Sequence, residues 1–269
     1  MLAPVPAVTS NSWTLIGPQP LNSNGANGNV SGRVTGIAVD PTNANILYIT
    51  PAGGGVWKTT NGGGSWTPLT DAQTTLSMGS IAIAPNNASV IYAGTGESNN
   101  ALDSNFGRGI LVSTNGRASW TLRTGPAGIF NTSRLTIGRI AVDPTNSAIA
   151  YSAAASFGNN GGCCGTGIYK TTDTGATWAN MTQAAGLDSN NPWSDVQLDT
   201  TSPTTIYAAH GNNFGDAANG VYKSTNSGTT WALQAGFPSG STVGRIALAV
   251  SGQVVYARSE ERRVGKECA

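Results

Sequence analysis

Charge is scarce in this chain. Of its 269 residues only 10% are charged, 14 basic and 13 acidic, where an ordinary soluble domain carries roughly 25%. The net charge of +1 supplies no basic stripe, so neither nucleic acid nor an anionic membrane surface is an expected partner. No apolar run approaches the roughly 18 residues of a membrane-spanning helix. One histidine, His210, and three cysteines leave little to ligate a metal. No histidine or acid stands at ligand spacing from a cysteine, and neither a metal nor a cofactor is expected. Cys163 and Cys164 are adjacent in a Gly-rich loop and read as incidental thiols or as a vicinal disulfide, and Cys268 is next to last. The first residues, MLAPVP, lack a basic n-region and an apolar h-region, so no signal peptide is visible.

What the chain does have is glycine, 36 residues of it, and one phrase written four times. The phrase is Ser/Thr-x-Asp/Asn-x-Gly-x-Ser/Thr-Trp, at 59–66 (TTNGGGSW), 113–120 (STNGRASW), 171–178 (TTDTGATW) and 224–231 (STNSGTTW). Only the second copy departs, with Arg117 in the glycine position. Its tryptophans Trp66, Trp120, Trp178 and Trp231 are spaced by 54, 58 and 53 residues, a period that marks a repeat architecture. Asn61, Asn115, Asp173 and Asn226 each precede x-Gly, a combination that favours a tight turn, because the short side chain bonds the backbone ahead and glycine accepts positive φ. Aromatic and β-branched flanks suit strands, so each box is a hairpin turn with its Trp packed between units.

This pattern resembles the Asp-box (BNR) repeat of sialidases, sortilin-type receptors and xyloglucan hydrolases, over about residues 12–258. The resemblance implies that the boxes are structural and lie away from any active site.

The rest of the chain repeats with the box. Each unit reads as four strands, the second carrying an in-phase tyrosine: Tyr48, Tyr92, Tyr151, Tyr207 and Tyr256. All five are expected in the core between units. The expected fold is all-β, a propeller of four-stranded antiparallel blades. After a leader at 1–11, blades are expected at 33–70, 77–124, 136–182 and 193–235, with half a blade at 243–258. A Gly/Asn/Pro loop spans 17–32. Trp13 precedes Trp66 by 53 residues, so 12–16 reads as an outer, closing strand. The tail at 259–269 breaks the pattern, and positions 258–267 hold seven of the 27 charged residues. About four and a half blades, an incomplete last blade and this tail give the expectation of an open fragment of a larger propeller.

Topology points to a functional face. In an antiparallel meander successive connections alternate sides, so the box turns share a side with the DPTN-type turns. The longer second-to-third-strand loops and the inter-blade links share the other, where binding usually sits. Phe106, Phe157 and Phe214 occupy those loops, either stacking on sugar faces or plugging the loops onto the blades. Arg139, Asp195 and Arg245 share one register at the start of inner strands, reading as an anion or hydroxyl site or as a structural charge cluster. Glu97, Asp103, Asp195 and Asp216 are the acids available for glycoside cleavage, which needs two carboxyls across roughly 5 to 9.5 Å. His210 ends a strand there and joins the ligand-binding candidates, with a general-base role as its catalytic reading.

The sialidase resemblance stops at the boxes. All seven tyrosines fall on repeated strand positions, and Arg139-Ile140 and Arg245-Ile246 are each followed by Ala rather than Pro. The resemblance to two-propeller xyloglucan hydrolases is closer across 32–66, but their catalytic Asp, aligned on Gly54-Gly55-Val56-Trp57, falls here on Ala52. The expected function is a secreted or envelope-exposed module binding a glycan or a protein. The alternatives are a glycoside hydrolase of the xyloglucanase or sialidase type with part of its site elsewhere, and a scaffolding propeller.

Overall fold

The computed structural model describes residues 21–22, 29–30, 32–99, 104–156, 165–252 and 254–261. The proposed strand at 12–16, Asp103, Phe157 and all three cysteines lie outside them. The first described pair, β1 (Leu21–Asn22) and β2 (Asn29–Val30), is a short hairpin within the segment expected to be loop. Four four-stranded antiparallel sheets follow, each in simple chain order. The first holds β3 (Val34–Asp40), β4 (Asn43–Pro51), β5 (Trp57–Thr59) and β6 (Thr67–Pro68). The second holds β7 (Met78–Ala84), β8 (Asn87–Thr95), β9 (Ile110–Ser113) and β10 (Thr121–Arg123). A four-residue helix, α1 (Ile129–Thr132), leads to β11 (Leu135–Val142), β12 (Ala150–Ser156), β13 (Gly167–Thr171) and β14 (Ala179–Asn180). A second short helix, α2 (Met181–Ala184), leads to β15 (Trp193–Leu198), β16 (Ile206–His210), β17 (Gly220–Ser224) and β18 (Ala232–Leu233). The last sheet has two strands, β19 (Val243–Ser251) and β20 (Val254–Glu261), the latter running three residues past the end of the sequence pattern at 258.

The first strand of each sheet is the innermost, and successive inner strands touch: β3 with β7, β7 with β11, β11 with β15 and β15 with β19. Side chains stitch the ring: Thr35 Oγ1 donates to Met78 O at 2.9 Å, Ser80 Oγ to Ile137 O at 2.9 Å and Ser194 Oγ to Ile246 O at 2.6 Å. All five inner strands shift register near their start, between Val34/Gly36, Met78/Ser80, Ile137/Arg139, Trp193/Asp195 and Val243/Ile246. Bulges of this kind bend a strand and re-aim side chains at a rim. The close approach explains Gly79, where a Cβ would stand 2.2 Å from Gly96 O and 2.5 Å from Ile137 O.

The core lies between sheets rather than within them. Between the second and third, Tyr92, Val112, Phe130, Ile137, Tyr169 and Trp178 pack as one buried cluster. Trp178 meets Tyr92 edge-on at 6.5 Å and Phe130 at 6.3 Å, so a box indole of one blade seats on the second-strand tyrosine of the blade before it. That tyrosine's hydroxyl reaches forward: Tyr92 Oη donates to Ser147 O at 2.9 Å and Tyr151 Oη to Ser227 O at 3.4 Å. Tyr48, Tyr92, Tyr151 and Tyr207 are buried as expected. Tyr256 is not; it is 67% exposed, because no described sheet covers its face of β20, and Ile37 on β3 is likewise 63% exposed.

The box turns fold identically. Thr171 Oγ1 donates to Asp173 Oδ1 at 2.8 Å and accepts from Gly175 N at 2.9 Å, while Asp173 Oδ1 accepts from Thr177 N at 2.8 Å. Asn61, Asn115 and Asn226 accept from the backbone four residues on at 2.9, 3.0 and 2.9 Å. Each box also bonds the neighbouring first-to-second-strand turn, as in Gly62 N to Asn45 O (2.9 Å) and Ser227 N to Thr204 O (2.9 Å), so both turn types lie on one side. Arg117 takes the left-handed backbone of the glycines it replaces, φ 86° against 79° at Gly175, and its guanidinium donates to Tyr48 Oη at 3.3 Å. The box indole nitrogens of Trp66, Trp120, Trp178 and Trp231 are buried without an acceptor, whereas Trp57 donates to Gly54 O and Trp193 to Asp188 O.

Candidate functional site

The opposite side carries three polar assemblies. At the inner rim, Arg33 and Glu97 form a two-point ion pair whose second contact, Nη2 to Oε2, is 2.6 Å. Asn99 Nδ2 donates to Glu97 Oε1 at 3.0 Å, and Arg245 Nη1 donates to Asn99 Oδ1 at 2.7 Å, linking the first, second and fifth sheets. Burial works against the Glu97 charge, but the Arg33 and Asn99 bonds outweigh it and hold the carboxyl below the ordinary range. Asp195 is buried beside Arg139 (3.6 Å), with Oδ2 accepting from Leu248 N at 2.8 Å and Oδ1 from Val196 N at 2.7 Å. Burial pushes its carboxyl up, against the pull of the Arg139 charge. Arg139 thus faces Asp195, and Arg245 reaches Asn99, so all three charged side chains have partners within the protein.

The second assembly surrounds His210, which is 1% exposed at the end of β16. Asn219 donates Nδ2 to Asn212 O (3.0 Å) and Val243 O (2.7 Å), which fixes its Oδ1 toward His210 Nδ1 at 3.1 Å. An acceptor there places the imidazole proton on Nδ1 and leaves Nε2 as a lone pair. Nε2 has no hydrogen-bond partner and stands 3.7 Å from Asp188 Oδ2. Burial pushes the His210 pKa down, with Asp188 and Asp216 pulling the other way. Asn191 Nδ2 donates to both carboxylates, Asp188 Oδ2 at 2.6 Å and Asp216 Oδ2 at 3.1 Å. Asp216 thus has a carboxylate neighbour that sequence reading missed, because Asp188 lies in a non-repeating link. Phe214, in the same loop, is 43% exposed. Among the described residues no three His, Cys, Asp or Glu side chains are placed to hold a metal ion.

The third assembly is an open groove of about 500 Å³ crossing the first three blades. Its wall comes from the loop at Gly53, the link at Thr74 and Thr75, the loop at 105–108 and the link at Asn131 and Arg134. Phe106 stands in it, with the Arg134 guanidinium 5.0 Å from its ring centroid. Gly107 anchors the loop by donating to Leu135 O at 3.1 Å, and a Cβ there would meet Leu135 O at 2.4 Å, so the Phe-Gly pair is what lets the loop cross the strand. Among the described residues no carboxylate lines this groove.

No family model matches the chain. It is 31% identical over 261 residues to a xyloglucanase of Hypocrea jecorina, covering 88% of this chain and 29% of that protein. It is 28% identical over 234 residues to a xyloglucanase of Paenibacillus sp., covering 78% of this chain and 22% of the relative. Among solved structures it superposes on an ancestral GH74 enzyme with a TM-score of 0.65 at 26% identity, over 94% of this chain and 29% of that one. The fold is that of a partial β-propeller. A GH74 xyloglucanase from Xanthomonas campestris shares it with a TM-score of 0.56 at 19% identity, over 81% of this chain and 32% of that one. The chain spans less than a third of the length of the curated relatives it matches. Among the described residues no helix is long and apolar enough to cross a membrane.

Proposed function

We propose that the chain is part of a secreted, glycan-directed propeller of the xyloglucan-hydrolase type, holding a polysaccharide along its long-loop face. The observation that carries this is the groove: an exposed aromatic ring among amide, hydroxyl and guanidinium side chains on a rigid scaffold, the usual make-up of a site that stacks on a sugar and bonds its hydroxyls. The xyloglucanase relatives support the ligand class.

Binding and cleavage separate in this chain. Cleavage needs a proton donor and a second carboxylate across the scissile bond. Gly53 lines the groove, and the neighbouring Ala52 takes the position where the resemblance places the first acid. Glu97 is held ionised by Arg33 and is a poor proton donor. The chain is therefore expected to bind xyloglucan without cutting it, the reaction needing carboxylates from elsewhere in a longer protein. Affinity electrophoresis through xyloglucan gels tests this, paired with a reducing-sugar assay. The expected result is retardation, lost in Phe106→Ala, with no sugar released. Migration unaffected by xyloglucan or any other β-glucan would overturn the reading.

A further inference from the structure

The groove carries more positive charge than the binding of neutral hydroxyls alone requires. Two of the chain's 14 cations, Arg108 and Arg134, line it, and among the described residues no acid does. Neither guanidinium makes an ion pair or a side-chain hydrogen bond among the described residues, although the chain's other rim arginines, Arg33, Arg139 and Arg245, all have partners. The two segments are tied side by side, because Gly107 N donates to Leu135 O, the residues next to Arg108 and Arg134 in the chain.

Arg134 is also held in a demanding place. It follows Ser133, the C-cap of α1, and adopts a left-handed backbone at φ 54°. Helices usually put glycine at that position. The Phe106 ring beneath it supports the planar guanidinium by cation–π attraction and limits its freedom. A planar fork with its N–H edge unspent matches a carboxylate in two-point geometry and in charge, and a neutral hexose has no group that supplies the charge.

We propose that this groove is a subsite for an acidic sugar, a uronosyl unit whose carboxylate is taken by Arg134 and Arg108 while the polysaccharide lies along the long-loop face. The inference rests on the glycan reading above and specifies its ligand. The amide of Asn131 and the hydroxyls of Thr74 and Thr75 are left to bond the sugar's own hydroxyls.

The test is calorimetric titration of the intact chain with a glucuronic-acid-substituted xylo-oligosaccharide. The comparison is the same oligosaccharide after carboxyl reduction, which changes only the charged group. At low salt the acidic form should bind about tenfold more tightly, as one charge-assisted pair warrants. The preference should shrink as salt is raised. Arg134→Gln and Arg108→Gln should each reduce it, and the double variant should abolish it while circular dichroism and Tm stay unchanged. Equal affinity for the two forms would overturn the proposal, as would a preference that survives the double variant, or inorganic sulfate competing as well as the acidic oligosaccharide. If neither form binds while a neutral xyloglucan oligosaccharide does, the acidic subsite is wrong and the glycan reading stands. If no saccharide binds, both fall.

Discussion

The two ends of the blades solve their polar accounting in opposite ways. Within each box motif the side-chain bonds close within a few residues: Asp173 is satisfied by Thr171 and Thr177, and Asn61 by Thr59 and Ser65. On the long-loop side partners come from distant parts of the chain, Glu97 from 64 residues beyond Arg33 and Arg245 from 146 beyond Asn99. The first kind of site is complete as soon as its turn forms and has nothing left for a ligand. The second exists only once the blades are assembled, and among the described residues it leaves the Arg108 and Arg134 guanidinia and His210 Nε2 among its unspent groups. On the function proposed above, stability and recognition fall on opposite faces of one scaffold.

The sharpest way to break that contrast is to remove a box indole. Trp178→Ala deletes a ring buried against Tyr92 and Phe130 and should cost about 3–5 kcal/mol in denaturant unfolding. Glycan affinity measured well below the new midpoint should be unaltered. A variant that loses affinity while still folded would show that the two faces are coupled.

A smaller effect is expected from His210. Burial sets its folded pKa below the ordinary 6.5, so the folded chain resists a proton that the unfolded chain accepts. Stability should be flat with respect to this group above about pH 6.5 and should fall as the pH is lowered from there through the folded pKa. His210→Gln should remove that component of the slope, whatever it does to stability at neutral pH. Equal slopes for the two proteins between about pH 5 and 7 would show that the imidazole is not held neutral.

The smallest effect belongs to Arg117. Replacing it with the glycine of the other three boxes relieves a left-handed backbone but forfeits the bond to Tyr48 and frees the unfolded chain. Arg117→Gly should raise stability by no more than about 1 kcal/mol, a shift visible in the denaturation midpoint. A clear loss would mean that the Tyr48 contact outweighs the strain.

The same contrast explains what was legible in the sequence. Local bonding repeats as letters, so the boxes, the four-strand cycle and the side on which the box turns lie could all be read from the chain. Tyr256 was misjudged because its burial depends on a neighbouring sheet, not on its own register. Phe106 was visible as a ring in a polar loop. Its partner Arg134 was not, since nothing in a non-repeating link announces a left-handed arginine over an aromatic face. Asp188 escaped for a related reason: its relation to His210 and Asp216 passes through Asn191 and through three segments that meet only in space.

The silent N–H groups of the four box tryptophans carry a consequence of their own. With no acceptor to lose, a phenylalanine at Trp66, Trp120, Trp178 or Trp231 would surrender footprint but no polar contact. The motif therefore keeps its largest letter for breadth of coverage, and related sequences that spell the turn with a smaller ring should still close it, at the cost of a thinner seam.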